Sequence, residues 1–254
     1  MTLRARKRFG QNFLTDGNVI RRLVDAIRPL ASDRIIEIGP GHGALTAPLV
    51  NATGDVEVIE IDRDLVRELH TRFPDLVIHE ADVLKLDLAK IVTPGTRVVG
   101  NLPYNISTPL LFRLFPLTGQ IRDMHFMLQL EVVDRLIAEP SSPAYGRLSV
   151  MAGYWCRAEK LFEVPPGAFT PAPKVTSAIV RLTPANHGEE ARDVGVLGDV
   201  VTRAFNQRRK TIRNGLKGLV SEESLRELDI DPQLRPENLS LADYVRCANH
   251  LVPS

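Results

Sequence analysis

The sequence is poor in cysteine, carries almost no net charge and contains no long apolar run. Its two cysteines, Cys156 and Cys247, belong to no CxxC or Cys/His cluster, which argues against a structural zinc site or a disulfide framework. Lys and Arg total 32 against 31 Asp and Glu, so the net charge of +1 indicates no general preference for a polyanion. No apolar run approaches the length of a membrane span, and the basic N-terminus lacks the apolar segment of a secretory signal. We therefore expect a cytoplasmic protein that binds neither a membrane nor a metal ion.

The length and composition are those of a globular protein with one large and one small domain. Of its 254 residues, 44% are hydrophobic and 25% are charged, which is ordinary for a chain that buries a substantial core. The composition changes near Thr183, and residues 184–190 have the character of a linker. We predict an α/β domain over residues 1–184 and a small helical domain over residues 185–254.

A glycine-rich loop follows the first predicted strand of the α/β domain. Residues 34–38 form an apolar run that leads into Gly39, Gly41 and Gly43, and residues 44–50 can begin a helix. Glycines let a backbone approach a ligand closely, and free amides at a helix start can face its polar groups. The spacing is GxGxG rather than GxGxxG, and no Lys followed by Ser or Thr completes a phosphate-binding loop. Nicotinamide binding and nucleotide hydrolysis are therefore both disfavoured.

Acidic residues follow the next two predicted strands. Glu60 ends the run over residues 56–62, about twenty residues after the glycine loop, where a carboxylate can accept both ribose hydroxyls of an adenosine-containing cofactor. Asp82 ends the run over residues 76–83 and can accept a hydrogen from the adenine amine of the same cofactor. The alternative for Glu60 is a solvated acid at a strand end.

Asn101, Leu102, Pro103 and Tyr104 follow a fourth predicted strand. The amide oxygen of Asn101 and a backbone carbonyl could accept the two hydrogens of an exocyclic amine, while the Tyr104 ring stacks on the face of its base. The four residues alone are more typical of a turn with a buried tyrosine. Three other strand ends with cofactor-compatible groups favour the ligand site, because ligands bind at the carboxyl ends of the strands in such sheets.

The C-terminal region combines predicted helices with a run of positive charge. Val201, Phe205 and Ile212 belong to an apolar stripe, and residues 203–217 contain no acid. Such asymmetry inside a nearly neutral chain favours phosphate contact over a merely solvated face. Ser221 and Ser240 are predicted to cap the helices that follow them. The basic N-terminal arm is a further candidate for phosphate contact.

Long motifs in the same order resemble those of the ribosomal small-subunit RNA adenine dimethyltransferase family. They cover nearly the whole chain and are EIGPG at 37–41, RKRFGQNFL at 6–14, NLPYNISTP at 101–109, FTPAPKV at 169–175 and AFNQRRKTIRN at 204–214. The resemblance implies a class I, Rossmann-like methyltransferase with a mixed seven-stranded sheet flanked by helices, followed by a small all-α domain. It also implies that S-adenosylmethionine is the cofactor.

The resemblance implies particular roles at matching positions. Asn101 with the Leu102 or Pro103 carbonyl would orient the target amine, Tyr104 would stack on the base, and Phe169 would close its opposite face. The residues implied to hold the cofactor are Gln11, Asn12, Leu14, Glu37, Gly39, Gly41, Glu60, Asp82 and Asn101. The residues expected to bind RNA are Arg6, Lys7, Arg8, Arg208, Arg209, Lys210 and Arg213.

The expected function is dimethylation of adenines in small-subunit ribosomal RNA by a monomer that acts on the RNA or on the assembling 30S-type subunit. The nearest alternative is a resistance methylase of large-subunit RNA, against which the long match at 204–214 argues. A catalytically idle ribosome-assembly factor is a second alternative, disfavoured by the competent residue types at every site position. A DNA adenine methylase is a third, disfavoured by the character of the C-terminal region.

Overall fold

A seven-stranded mixed sheet forms the centre of the first compact unit. The computed structural model describes residues 11–185 and 190–253. The strands are β1 Phe13–Leu14, β2 Arg34–Ile38, β3 Asp55–Glu60, β4 Val77–Glu80, β5 Thr96–Asn101, β6 Ile121–Gln129, β7 Cys156–Val164, β8 Phe169–Thr170 and β9 Ser177–Pro184. β1 and β8 pair with each other, and the other seven form the sheet in the order β4-β3-β2-β5-β6-β9-β7. The first five strands of this order are parallel, and β9 runs antiparallel to β6.

Ten α-helices accompany the strands in the described parts of the chain, and the sequence pattern accounts for the best defined of them. In the first, Val19, Leu23 and Ile27 recur at helical spacing and are buried, while Asp16 accepts the amides of residues 18 and 19 as the N-cap. The helices are α1 Gly17–Ile27, α2 Thr46–Ala52, α3 Arg63–Arg72, α4 Ser107–Leu114, α5 Leu130–Leu136, α6 Arg147–Trp155, α7 Val194–Asn206, α8 Ile212–Gly215, α9 Glu222–Glu227 and α10 Leu241–Leu251.

The strand order places a switch point between β2 and β5. Along the chain, β3 and β4 extend the sheet to one side of β2, and β5 and β6 extend it to the other. The connections on the two sides therefore leave the sheet in opposite directions, and a crevice opens at the carboxyl ends of β2 and β5. Gly39 follows β2 directly and Asn101 is the last residue of β5. The predicted mixed seven-stranded sheet flanked by helices is confirmed. It places the glycine loop and residues 101–104 at the crevice.

Close packing of β5 on β2 requires a glycine next to Asn101. A Cβ atom added to Gly100 would lie 2.4 Å from the backbone oxygen of Ile38. Any side chain at this position would push the two strands apart. Gly100 therefore sets the distance between the two strand ends that border the crevice.

A buried ion cluster anchors the other end of β5. The guanidinium of Arg97 lies 2.7 Å from an Asp33 carboxylate oxygen and 2.9 Å from one of Asp123. The same group donates to the backbone oxygens of Ile27 and Arg28 at the end of α1. These bonds satisfy a buried charge at several points at once, which is the condition for keeping it inside a protein. They fix the register of the strand that ends at Asn101.

The helical unit differs from the predicted domain. Besides residues 185–254 it includes residues 134–156, which the predicted boundary assigned to the α/β domain. The reason is a shared core: the Phe205 ring lies 6.1 Å from that of Tyr145 and 6.0 Å from that of Tyr244. The Tyr145 hydroxyl also donates to the backbone oxygen of Leu239 at 2.9 Å. The chain therefore enters the helical unit twice.

The predicted helix caps of this unit are confirmed. Ser221 accepts the amide of Ser224 at the start of α9. Ser240 and Asp243 form the reciprocal capping box at the start of α10, with bonds of 3.2 and 2.7 Å.

The basic run does not lie on one continuous helix. The helix α7 ends at Asn206, and α8 begins at Ile212. In the connection, the Lys210 amide donates to the Gln207 oxygen and the Ile212 amide donates to the Leu234 oxygen. Residues 208–210 therefore lie in a turn, where the sequence pattern predicted a helical face.

Candidate active site

One cavity of about 260 Å³ opens at the switch point of the first unit. The carboxyl ends of β2, β3 and β5, the turn after β4 and residues 11–13 surround it. Most of the predicted site residues line it. They are Gln11, Asn12, Gly39, Gly41, Glu60, Asp82, Asn101, Leu102, Pro103 and Tyr104.

Three predicted site residues lie behind the lining. Leu14 is 7% exposed and packs in the hydrophobic core. Phe169 is 4% exposed, pairs with Leu14 between β8 and β1, and belongs to the same core. Glu37 is 2% exposed. Leu14 and Glu37 are close in sequence to the lining residues Phe13 and Ile38, whereas Phe169 is distant in sequence from all of them, and all three side chains are buried. The role of Phe169 as a second stacking ring stays a prediction.

The glycine loop follows the backbone geometry that its sequence demands. Gly39 and Gly41 have φ angles of 70° and 57°, in the left-handed region that favours glycine. A Cβ atom added to Gly41 would lie 2.9 Å from the Phe13 ring. Gly41 therefore packs against the Phe13 ring too closely for any side chain to fit at this position. Both glycines also line the cavity, so a ligand there would meet their backbone and no side chain of theirs.

The Glu60 carboxylate is held by backbone amides. Its Oε1 atom accepts the N–H groups of Ile61 at 2.9 Å and Asp62 at 2.8 Å. Burial raises the pKa of Glu60, while the amides of Asp62, Ile61 and Gly41 act in the opposite direction. A carboxylate can accept about four hydrogen bonds. The amides fix its orientation and leave accepting capacity for hydroxyl groups of a ligand.

The buried Glu37 is a support of the loop rather than part of the lining. Thr46 donates its hydroxyl to Oε2 of Glu37 at 2.6 Å. Burial, followed by repulsion from Glu60, raises the pKa of Glu37 to about 7 in spite of the Thr46 bond. Glu37 is therefore less readily ionised than an exposed glutamate, and its role at the cofactor stays a prediction.

The turn after β4 presents Asp82. The Oδ1 atom of Asp82 accepts the Leu84 amide at 2.9 Å, and its backbone oxygen accepts the amides of Lys85 and Leu86. Oδ2 is 3.9 Å from the ammonium group of Lys85. The turn orients one carboxylate oxygen through its own backbone, and the other can accept a hydrogen bond from a ligand.

Asn101 is oriented by the segment that covers the cavity. Its Nδ2 atom donates to the backbone oxygen of Asn12 at 2.8 Å. This bond uses the donor end of the amide and turns Oδ1 away from Asn12. The acceptor end is thereby fixed at the last residue of β5, where the cavity begins. The segment is itself tied down, because Gln11 Nε2 donates to Asp62 at 3.3 Å.

The turn after Asn101 distinguishes the two candidate carbonyl acceptors. The Leu102 amide donates to the backbone oxygen of Met127, which extends the pairing of β5 with β6 by one bond. The Pro103 oxygen accepts the Ile106 amide at 3.1 Å. The turn thus already uses Pro103, and the Leu102 carbonyl is favoured as the partner of Asn101 Oδ1.

The Tyr104 ring is fixed through its hydroxyl. The hydroxyl oxygen lies 2.8 Å from Oγ of Ser177, which is fully buried at the start of β9. Burial raises the pKa of Tyr104 above its ordinary value, so the hydroxyl stays protonated at neutral pH. Tyr104 is therefore a neutral ring anchored at its far end, as a stacking platform requires.

Sequence reasoning missed the apolar lining and the Ser177 anchor. The apolar lining residues stand beside the polar ones at the strand ends, as Ile59 and Ile61 do beside Glu60, so their position in sequence was a usable signal. Ser177 gave no such signal, because it contacts Tyr104 across 73 positions of sequence. The apolar lining residues are Phe13, Ile38, Ile59, Ile61, Leu65, Val83, Leu84 and Ile106.

The predicted RNA-binding residues of the helical unit fall into two pairs. Arg208 lies 2.7 Å from Glu237 and donates to the Pro143 oxygen, and Arg213 lies 3.2 Å from Glu222. Arg209 and Lys210 are exposed, and no ion pair of either is found among residues 11–185 and 190–253. Arg6, Lys7 and Arg8 lie outside the described residues.

Residues 11–185 and 190–253 contain no group of three or more His, Cys, Asp and Glu side chains arranged to hold a metal ion. Within the same ranges, no helix has the length and apolarity needed to cross a membrane.

Two comparisons with solved structures agree with the fold. A dimethyladenosine transferase from Plasmodium falciparum superposes with a TM-score of 0.79, at 23% identity over 92% of this chain and 95% of that one. The 23S rRNA methyltransferase ErmE superposes with a TM-score of 0.70, at 24% identity over 94% and 99%. At this identity the likeness shows the fold alone.

Proteins with a much more similar sequence are also known. Proteins named Ribosomal RNA small subunit methyltransferase A from Chromohalobacter salexigens and Aromatoleum aromaticum are each 56% identical to this chain. The alignments cover 97% and 98% of this chain, and 91% and 94% of those proteins. The model of the Ribosomal RNA adenine dimethylase family matches residues 2–252. The chain therefore belongs to the ribosomal RNA adenine dimethylase family.

Proposed function

We propose that the protein transfers methyl groups from S-adenosylmethionine to the exocyclic amines of two adjacent adenosines near the 3′ end of small-subunit ribosomal RNA, giving N6,N6-dimethyladenosine. It acts as a cytoplasmic monomer on the RNA or on the assembling subunit. One observation carries the proposal: the Asn101 amide, the Leu102 carbonyl and the Tyr104 ring border the same cavity as Glu60 and Asp82. A pair of acceptors for an amine and a pair of carboxylates for an adenosine are thus within reach of each other.

The hydrogen-bond acceptors that line the cavity suit the proposed cofactor. Glu60 would hold the ribose hydroxyls and Asp82 the adenine amine, between apolar walls that include Ile61 and Val83. The backbone at Gly39 and Gly41 would approach the methionine part, since neither residue has a side chain to prevent it. When bound, S-adenosylmethionine supplies a methyl group on a sulfonium, which is a good leaving group.

The residues of the chain activate a weak nucleophile by positioning it. The lone pair of an adenine amine is delocalised into the ring. Acceptance of its two hydrogens by Asn101 Oδ1 and the Leu102 oxygen would draw the nitrogen toward tetrahedral geometry and direct its lone pair at the methyl carbon. Neither oxygen is basic enough to keep a proton, so both act as fixed dipoles. Methyl transfer would leave the sulfonium as the neutral thioether, and the methylated amine would lose its extra proton to solvent. The Tyr104 ring would hold the base in plane, and stacking worth roughly 1–3 kcal/mol offsets its unstacking from RNA.

Labelled methyl groups test the proposal directly. Unmodified small and large ribosomal subunits are incubated with the protein and methyl-labelled S-adenosylmethionine, and the label is mapped along each RNA. We expect label on the amines of two adjacent adenosines of the small-subunit RNA. Label on the large-subunit RNA would identify the resistance-type activity instead. Absence of label from both, in a protein that binds small subunits, would leave an assembly factor.

The helical unit is proposed to hold the RNA through Arg209 and Lys210. Arg208 and Arg213 face carboxylates at 2.7 and 3.2 Å, so their charges are largely satisfied within the unit. Arg209 and Lys210 occupy the exposed turn between α7 and α8. Charges of this kind attract phosphates without specifying a sequence.

Neutralising Arg209 and Lys210 together is expected to weaken RNA binding and to reduce its salt dependence. Each lost phosphate contact lowers the slope of log affinity against log salt by roughly 0.7–0.9. Binding of Arg209→Gln/Lys210→Gln to small-subunit RNA is measured at several salt concentrations. The control is Arg67→Gln/Lys90→Gln, which removes the same two charges from the first unit, where the side chains pair with Asp64 and Asp87. An unchanged slope in the first variant would mark its turn as merely solvated.

A further inference from the structure

Arg113 braces the turn that presents Asp82. Its Nη1 atom donates to the backbone oxygen of Val83 at 3.0 Å, and its Nη2 atom donates to that of Leu86 at 2.7 Å. One half-buried guanidinium therefore bonds both ends of a four-residue stretch. Arg113 itself lies outside the cavity lining.

The brace completes a turn that is otherwise closed from one side only. Asp82 accepts the amides of Leu84, Lys85 and Leu86 through its side-chain and backbone oxygens. These bonds satisfy the N–H groups of the turn. The carbonyl oxygens of Val83 and Leu86 in the same turn accept hydrogen bonds from Arg113. Without the guanidinium, both carbonyls would lose a charge-assisted bond, and the turn would lose its fixed position against the sheet.

The position of Arg113 also connects the two ends of the cavity. It lies on α4, the helix that begins three residues after Tyr104, and Ile106 just before that helix lines the cavity. On the other side, the Ala81 amide donates to the Glu60 backbone oxygen at 3.0 Å, which joins the turn to the end of β3. The turn is thus hydrogen-bonded to β3 at one end and to α4 through Arg113.

We propose that Arg113 is a positioning residue for the adenine of the cofactor. By holding the Val83 and Leu86 carbonyls, it keeps the Asp82 carboxylate where it can accept a hydrogen from the purine amine. The selectivity of the cavity for a 6-amino purine over a 6-oxo purine then depends on Arg113, although Arg113 touches neither. The inference rests on the proposed role of Asp82 in the proposed function.

Calorimetry with two cofactor analogues tests the inference without any measurement of activity. S-adenosylhomocysteine carries the amine at position 6, and S-inosylhomocysteine carries an oxygen there, which the Asp82 carboxylate would repel. We expect the wild-type protein to prefer the adenosyl compound by about tenfold or more, as for a hydrogen bond to a charged group. In Arg113→Ala, the ratio of the two dissociation constants is expected to fall to within about threefold.

Two further variants separate positioning from general damage. Arg113→Lys keeps the charge but can reach one carbonyl at a time, so its ratio should lie between those of wild type and Arg113→Ala. Arg246→Ala removes a similar bond, from Nε to the Leu228 oxygen at 3.0 Å in the helical unit, and should leave the ratio at its wild-type value. Thermal unfolding of every variant is followed in parallel, and Arg113→Lys carries the test if Arg113→Ala does not fold.

The outcomes distinguish the inference from the proposal on which it rests. Equal weakening of both analogues in the Arg113 variants, with an unchanged ratio, would overturn the positioning role and leave Asp82 in place. A wild-type protein that binds both analogues equally well would overturn the role of Asp82 itself, and the role of Arg113 with it.

Discussion

Asn101→Ala is expected to lower the rate of methyl transfer by about 10²–10³-fold, the loss typical of removing one preorganised dipole from a reacting centre. The Leu102 carbonyl would then hold only one hydrogen of the amine, and the nitrogen lone pair would no longer be directed. The affinity for RNA should stay within a few-fold of wild type. Single-turnover kinetics with saturating cofactor and RNA measure the chemical step apart from binding and product release.

Two companion variants make the Asn101 result specific. Asn101→Asp retains an acceptor oxygen but replaces the donor that contacts the Asn12 oxygen at 2.8 Å, so two oxygens would oppose each other there. We expect its rate to be low as well, with weaker closure of residues 11–13 over the cavity. Asn51→Ala removes an exposed amide from α2 and should leave the rate unchanged. A normal single-turnover rate in Asn101→Ala would assign the amine to other acceptors.

The sequence was sufficient to predict the residues at the strand ends. Glu60, Asp82 and Asn101 each follow an apolar run, and a parallel sheet brings the ends of such runs to one edge. Local pattern therefore specifies position whenever the position is a strand end. Local pattern does not specify which way a side chain points. Glu37 lies one residue before the end of β2 and the glycine loop, and its side chain is buried behind that loop, with 2% exposed.

Contacts between distant parts of the chain could not be predicted from local pattern. Phe169 has the sequence context of a site residue, but β8 pairs with β1, which places its ring in the core beside Leu14. The same holds for Ser177 at Tyr104 and for Arg113 at the Asp82 turn. Each of these contacts depends on the register of elements far apart in sequence, which no periodicity encodes.

The domain boundary shows the same limit on a larger scale. A change of composition near Thr183 lies close to one crossing between the units, and a linker has a recognisable composition. The crossing near residue 134 has no linker, since α5 runs through it. Packing across the sequence assigns residues 134–156 to the helical unit, as in the contact of Tyr145 with Phe205 and the bond of Tyr145 to Leu239.

Tyr104→Ala is expected to reduce kcat/KM by about 5- to 150-fold, the equivalent of the 1–3 kcal/mol that stacking on one base contributes. The loss should be in the placement of the target base, so cofactor affinity should change little. Tyr104→Phe keeps the ring and removes the 2.8 Å bond to Ser177, so its loss should be much smaller. Steady-state kinetics on unmodified small subunits give both values.

A double-mutant cycle with Ser177 separates the ring from its anchor. Ser177→Ala and Tyr104→Phe each remove one partner of the same hydrogen bond and leave the other buried without it, at a cost of about 1–3 kcal/mol of stability. The double variant removes both partners, so its loss of stability should be smaller than the sum of the two single losses. A Tyr104→Phe variant as inactive as Tyr104→Ala would contradict this division, because the hydroxyl rather than the ring would then carry the effect. If the ring carries it, Ser177 acts on catalysis only by fixing the angle at which Tyr104 meets the base.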